Sequence, residues 1–364
     1  MPLDPSPVSQ PSPSPVPGAQ PITADSITYS RGLPEWLLTQ TMSFAFTSYQ
    51  LGQLYLVGVD ADRRLALHQV GTGRAMGLWA NPQTLVLATD IQVWRFENVL
   101  GPGQVTNLGA DRHYVPRVGH ITGDLDLHDV SVLGDGRIIV VNTAFSCLAL
   151  LSNTHAFRVF WQPPFISKLA PEDRCHLNGL AVKDGEAAYV TATSRSDVVT
   201  GWRARRAEGG LVMDVKTNAI VTEKLSMPHS PRWHNGQLWV LNSGSGYLGT
   251  VDLISGAFEP KVFCPGFLRG LAFHGNFAFV GLSLPRDGAF TGLALDIELP
   301  KRDADPWCGV QIIDLNSGAI VQWLRIEGGV TELFDVAVLP GVRRPTATAP
   351  SDGELSSLIT YEMG

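Results

Sequence analysis

From about residue 43 to residue 339 the chain is a succession of short runs in which apolar and polar residues alternate, each bounded by Gly, Asn, Asp or Pro: "SFAFTSY", "QLYLVGVD", "TLVLAT", "IQVWRF", "RIIVVN", "AAYVTA", "QLWVLN" and "FAFVGL". Period-2 alternation over this length is the pattern of a half-buried strand. A sustained 3.6-residue period is missing, which excludes a layered α/β fold and leaves a sandwich, a barrel or a propeller.

A larger unit separates these three. An apolar pair, a turn with Asn, Asp or Gly and a β run recur in "MGLWANPQTLVLAT", "DVSVLGDGRIIVVN", "NGLAVKDGEAAYVTA", "SPRWHNGQLWVLN" and "RGLAFHGNFAFVGL". A sixth copy, "FDVAVLPG" from Phe334 to Gly341, contains only its first strand. Separations of about 40 to 65 residues match the period of four-stranded propeller blades. The pattern predicts an all-β, six-bladed β-propeller over residues 31–342. One inner strand cannot complete a blade, so "SFAFTSY" and "QLYLVGVD" are expected to join the sixth copy and close the ring, removing the free edges of an open sheet. The Pro-rich residues 1–30 read as a disordered tail, and 343–364 as a C-terminal tail.

Setting the repeats in register gives one position per blade just ahead of the inner strand: Met76, His128, Asn178, His229, Arg269 and Phe334. Two residues back on the same strand face lie Arg74, Asp126, His176, Met227, Phe267 and Glu332. Polar and titratable groups concentrated in two stacked rings are costly in a channel unless they are paired or bind something. His128, His176 and His229, from consecutive blades, are candidate ligands of one divalent transition metal, with Asp126, Asp129 or Glu332 as an alternative carboxylate donor. Arg74 and Arg269 are candidates for an anionic ligand, and with Asn178, Glu332 and Asp126 complete the expected binding set. The competing reading has the imidazoles donating to neighbouring carbonyls in a non-catalytic scaffold.

The segment "HLNGLAV" at His176–Val182 resembles the start of a blade in the six-bladed propellers that include regucalcin, gluconolactonase and strictosidine synthase. From Ser43 to Leu339 the chain more closely resembles a family of bacterial conserved hypothetical proteins of unknown function, on "SFAFTSYQ", "LHDVSV" and "LPR". The lactonase resemblance implies a calcium site to which Asn178 and Glu332 would contribute. Its aspartate has no counterpart in the corresponding stretch "NSGSGYLG".

Composition narrows the chemistry further. A net charge of -7 offers no basic field for nucleic acid, and no apolar run approaches the roughly 20 residues of a membrane span. Cys147, Cys175, Cys264 and Cys308 lie far apart without a C-x-x-C pair, which suits a reducing cytoplasm. Cys175 beside His176 is expected in the core, and His234 and His274 are expected in solvent-facing turns. The 283–307 insertion is long enough to fold over the channel mouth, where Arg286 and Asp287 would act as lid residues. The expectation is an enzyme acting on a small polar or anionic molecule by hydrolysis or elimination, or else a propeller scaffold that binds a ligand or protein.

Overall fold

The inner strands of six sheets contact one another in a closed ring, so the molecule is a six-bladed β-propeller. The structure is a computed structural model and describes residues 26–286 and 288–362; the first 25 residues of the expected tail and Asp287 lie outside the described residues. In chain order the inner strands are Leu78–Ala80 (blade 1), Leu127–Val132 (blade 2), Leu177–Lys183 (blade 3), Pro228–His234 (blade 4), Phe267–His274 (blade 5) and Val336–Pro340 (blade 6).

Blade 6 closes the ring as the truncated sixth repeat predicts. Met42–Ser48 pairs antiparallel with Val336–Pro340, setting Phe44 opposite Val338, and Gln53–Val59 and Leu65–Gly71 follow outward. An apolar cluster fills each interface between consecutive blades. The one between blades 5 and 6 stacks Phe46 on Tyr55 at 4.8 Å and packs Phe44 against Phe279 at 5.5 Å. Burial across these interfaces is what holds a ring of otherwise separate sheets together.

Both expected tail boundaries are overrun by a strand. Ile27–Tyr29 adds to the outer edge of blade 5. Pro345–Ala347 pairs in parallel with Arg112–Tyr114 of blade 1, and both ring nitrogens of His113 bond to Thr346 and Thr348 at 2.9 Å. Two short helices, Leu33–Gln40 and Leu295–Lys301, also interrupt the all-β pattern. No helix among the described residues is long and apolar enough to cross a membrane.

The blades are latched around the channel by an alternation in the fourth residue of each lead-in: Gly77, Asp129, Gly179, Ser230, Gly270 and Asp335. Side chains in the even blades accept from backbone N–H groups of the next blade, Asp129 from Leu180 at 3.0 Å, Ser230 from Gly270 at 3.1 Å and Asp335 from Leu78 at 2.9 Å. In the odd blades glycine lets the next backbone come close. A Cβ on Gly77 would stand 2.9 Å from Asp129 Cα, and one on Gly270, with φ +81°, would stand 2.5 Å from Val336 N. Arg232 spans the channel from blade 4, bonding Asp129 at 2.7 Å and lying 3.6 Å from Asp335. Asp129 is therefore spent on the frame and is not a ligand donor.

Candidate functional site

The lead-in segments bring the predicted residues to one mouth of the channel, but not as two stacked extended layers. Asp126, His176 and Met227 occupy the left-handed region, with φ of 51°, 51° and 45°. Stepping back two residues therefore does not preserve the strand face, because the alternation of side chains holds only for extended backbone. The kink turns His176 from a separate layer toward His128, and their rings meet edge to face at 4.8 Å.

Asp126, His128 and His176 each present a ligand atom within 4.8 Å of the others. Donor atoms on one tetrahedral zinc stand roughly 3.3 Å apart, so side-chain rotations of about 1 Å gather this set around an ion. His229 is not in that cluster.

Backbone and carboxylate acceptors fix the tautomer of all three imidazoles. His128 Nδ1 donates to the Asp126 carbonyl at 2.9 Å and His229 Nδ1 to the Met227 carbonyl at 2.8 Å. His176 Nδ1 donates to the Asp173 carboxylate at 3.0 Å, while Trp202 Nε1 donates to the same carboxylate at 2.7 Å and its ring stacks on the imidazole at 4.0 Å. Each Nε2 is thereby left as a lone-pair acceptor. The scaffold and the ligand-site readings both capture part of this: one nitrogen of each ring is spent on the frame and the other is free of it.

Burial dominates the titration of these groups. It pushes His128 down to about 3 and His229 well below the ordinary histidine value. Burial also opposes ionisation of Asp126, but the attraction of His128 and His176 when charged, and of Arg74 and Arg269, outweighs it and holds the carboxyl below its usual range.

Predicted site residues also carry buried polar atoms without partners among the described residues: His229 Nε2, Arg74 Nε and Asn178 Oδ1. Asn178 Nδ2 is used, donating to Thr193 Oγ1 at 3.0 Å and the Pro228 carbonyl at 3.1 Å. Arg74 pairs with Asp126 at 3.2 Å. Glu332 accepts from Tyr49 at 2.6 Å and from Arg286 at 2.9 Å, and Arg286 also bonds the Tyr49 hydroxyl. Arg269 lies over the Phe334 ring at 4.6 Å and makes no hydrogen bond or ion pair among the described residues.

The insertion folds against this mouth. Phe290, Leu293, Leu295 and Leu299 pack with Met227, Phe263 and Phe267, covering the side formed by blades 4 and 5. Cys175 is fully buried, with its thiol pushed up to about 12 by burial, so it is core as expected. His234 lies at the turn after Pro228–His234, partly exposed, where it stacks on Phe273 at 4.3 Å and bonds the Gly275 carbonyl at 2.8 Å. Asp173, Trp202 and Tyr49 were missed because they lie outside the repeat register, and Arg232 because it follows the two lead-in positions that were compared. The Asp173 to His176 spacing in "DRCH" was the one local signal.

Against known families, residues 31–348 match the domain of unknown function DUF4915. The chain belongs to the DUF4915 family. The DUF4915 assignment agrees with the expected resemblance to uncharacterised proteins and carries no activity with it. No curated protein matches the chain. Among solved structures it is similar to a chain of the nidogen/laminin complex, at 9% identity and a TM-score of 0.52 over 82% of this chain and 98% of that one. It is also similar to a protein of unknown function from Bacteroides caccae, at 9% identity and a TM-score of 0.45 over 82% and 98%. A streptogramin B lyase structure aligns at 10% identity and a TM-score of 0.45 over 81% and 83%. Likeness at such identities concerns the fold alone.

Proposed function

We propose that this DUF4915 propeller is a metal-dependent enzyme whose channel mouth holds one divalent transition metal through Asp126, His128 and His176 and acts on a small polar molecule by hydrolysis or elimination. The observation that carries this reading is the cluster of Asp126, His128 and His176, each with a ligand atom within 4.8 Å of the others, in which the Nδ1 contacts of the two imidazoles leave their Nε2 lone pairs free. Two imidazoles and one carboxylate suit a borderline transition metal better than calcium, which takes oxygen ligands. A bound ion of this kind supplies Lewis acidity and lowers the pKa of bound water. His229, with its buried unpartnered nitrogen, is the acceptor for a substrate hydrogen, and the blade-5 insertion limits solvent access. The four cysteines are free and buried, which supports a reducing, cytoplasmic setting.

The test is calorimetric titration of zinc into chelator-treated protein. One equivalent should bind the wild type. His128→Ala, His176→Ala and Asp126→Ala should each weaken binding at least tenfold, with His234→Ala and His274→Ala unchanged. Equal affinity in all variants contradicts the proposal.

A further inference from the structure

At the blade-4 and blade-5 side of the mouth, a group that can only donate stands near a group that can only accept, and neither has a partner among the described residues. Arg269 is 7% exposed and offers five N–H donors, yet its only contacts of note are the faces of Phe334 at 4.6 Å and Tyr49 at 5.9 Å. His229 occupies the same register position one blade earlier, is 4% exposed, and keeps an unprotonated Nε2 because its Nδ1–H is given to the Met227 carbonyl. The other arginines of the mouth are paired: Arg74 with Asp126 and Asp124, and Arg286 with Glu332. Asp173 is taken up by His176 and Trp202. Arg269 is the one arginine of this group on which no carboxylate sits within ion-pair distance among the described residues.

We propose that Arg269 and His229 form a subsite for a small hydroxycarboxylate, the guanidinium taking the carboxylate and His229 Nε2 accepting from the hydroxyl. A guanidinium matches a carboxylate with two parallel hydrogen bonds. A single unpaired arginine in surroundings that also hold Asp124, Asp126, Asp173 and Glu332 suits a monoanion better than a phosphate dianion. A free acceptor calls for a donor on the ligand. A hydroxyl meets that need, whereas the ammonium of an amino acid would stand beside Arg269 and Arg286 and be repelled. The inference names the substrate class for the function proposed above, and rests on it only for what happens after binding; the subsite itself requires no metal.

The test is ligand-observed NMR on folded protein with lactate, 3-hydroxypropionate, propionate, alanine and inorganic phosphate, in the presence of EDTA and again with zinc. In EDTA, at least one of the two hydroxycarboxylates should bind saturably and at least fivefold more tightly than propionate, while alanine and phosphate should not compete. Arg269→Met should abolish binding of all the carboxylates. Its melting temperature should be equal to or above that of the wild type, because the change removes a buried guanidinium that has no ion pair among the described residues. His229→Phe should erase the difference between hydroxycarboxylate and propionate while leaving propionate binding in place. Binding unchanged in Arg269→Met, no preference for a hydroxyl, stronger competition by phosphate, or no binding to folded wild type would each overturn the subsite. Failure of zinc to bind while lactate or 3-hydroxypropionate still does would remove the metal reading and leave the subsite standing.

Discussion

Asp173 holds His176 from three residues away, both carboxylate oxygens lying 3.0 Å from the ring Nδ1. This contact sets which nitrogen carries the proton and which one faces the mouth, the part an outer carboxylate plays for a metal-bound imidazole. Asp173→Asn can present its amide N–H to Nδ1 and favour the wrong tautomer. Zinc affinity measured by calorimetry should then fall roughly 10- to 100-fold, with little change in the melting temperature. An unaltered affinity would mean that the orientation of His176 does not depend on Asp173.

Ring closure rests on Phe44, which pairs across to Val338 and packs against Phe46 and Phe279 with no exposed surface. Truncating it to alanine should cost about 3 to 5 kcal/mol in urea unfolding, the usual range for a large buried aromatic. Deletion through Tyr55 removes Met42–Ser48 and the first three residues of Gln53–Val59 from blade 6 and should leave no cooperative unfolding transition. A stable monomer from that deletion would contradict the closure.

The C-terminal strand makes a prediction opposite to the one its composition suggests. A chain ending at Val342 loses the pairing of Pro345–Ala347 with blade 1, the two threonine partners of His113, and the 2.7 Å bond from His68 Nε2 to the Ala347 carbonyl. Its melting temperature should fall by several degrees, since each kcal/mol corresponds to roughly 2 °C in a domain of this size. No shift would mean that the strand contributes nothing to the fold.

Acid should destabilise the protein through its buried neutral histidines. Because burial lowers the folded-state pKa of His128 to about 3, and that of His229 well below normal, the unfolded chain binds more protons than the folded one between about pH 6.5 and the lowered pKa of His128. Stability therefore rises with pH in that window, and is lost progressively as the pH falls from about 6.5 toward 3. His128 should cost about 2 kcal/mol between pH 6.5 and pH 5, and His229 acts in the same direction. Comparing urea unfolding of wild type and His128→Gln at both values isolates its share. Equal pH slopes would contradict the assignment of His128 as a buried neutral ring.

Blade number, the inner strands and closure by the N-terminal strands were all legible in the sequence, because each depends on period-2 patterning and on spacing along the chain. His128 and Asp126 were legible as site candidates for the same reason. His176 was legible as their partner on one metal, but neither the left-handed turn that removes it from a separate layer nor the separation of His229 from the cluster was, since an extended register represents neither. Asp173, Trp202 and Tyr49 reach the mouth from connecting loops and a neighbouring blade, so no repeat alignment brings them forward. Pro345–Ala347 was concealed by its composition: it is a strand made by a parallel partner some 230 residues away in sequence, with no local signal of its own.

The metal centre is tested most directly by the anomalous difference map of a crystal grown with zinc, recorded on both sides of the zinc absorption edge. A single strong peak should lie within about 2.0 to 2.2 Å of His128 Nε2, His176 Nε2 and an Asp126 carboxylate oxygen, with Asp173 still bonded to His176 Nδ1. A map with no peak at the mouth, or with zinc bound only elsewhere on the molecule, would contradict the proposed metal centre.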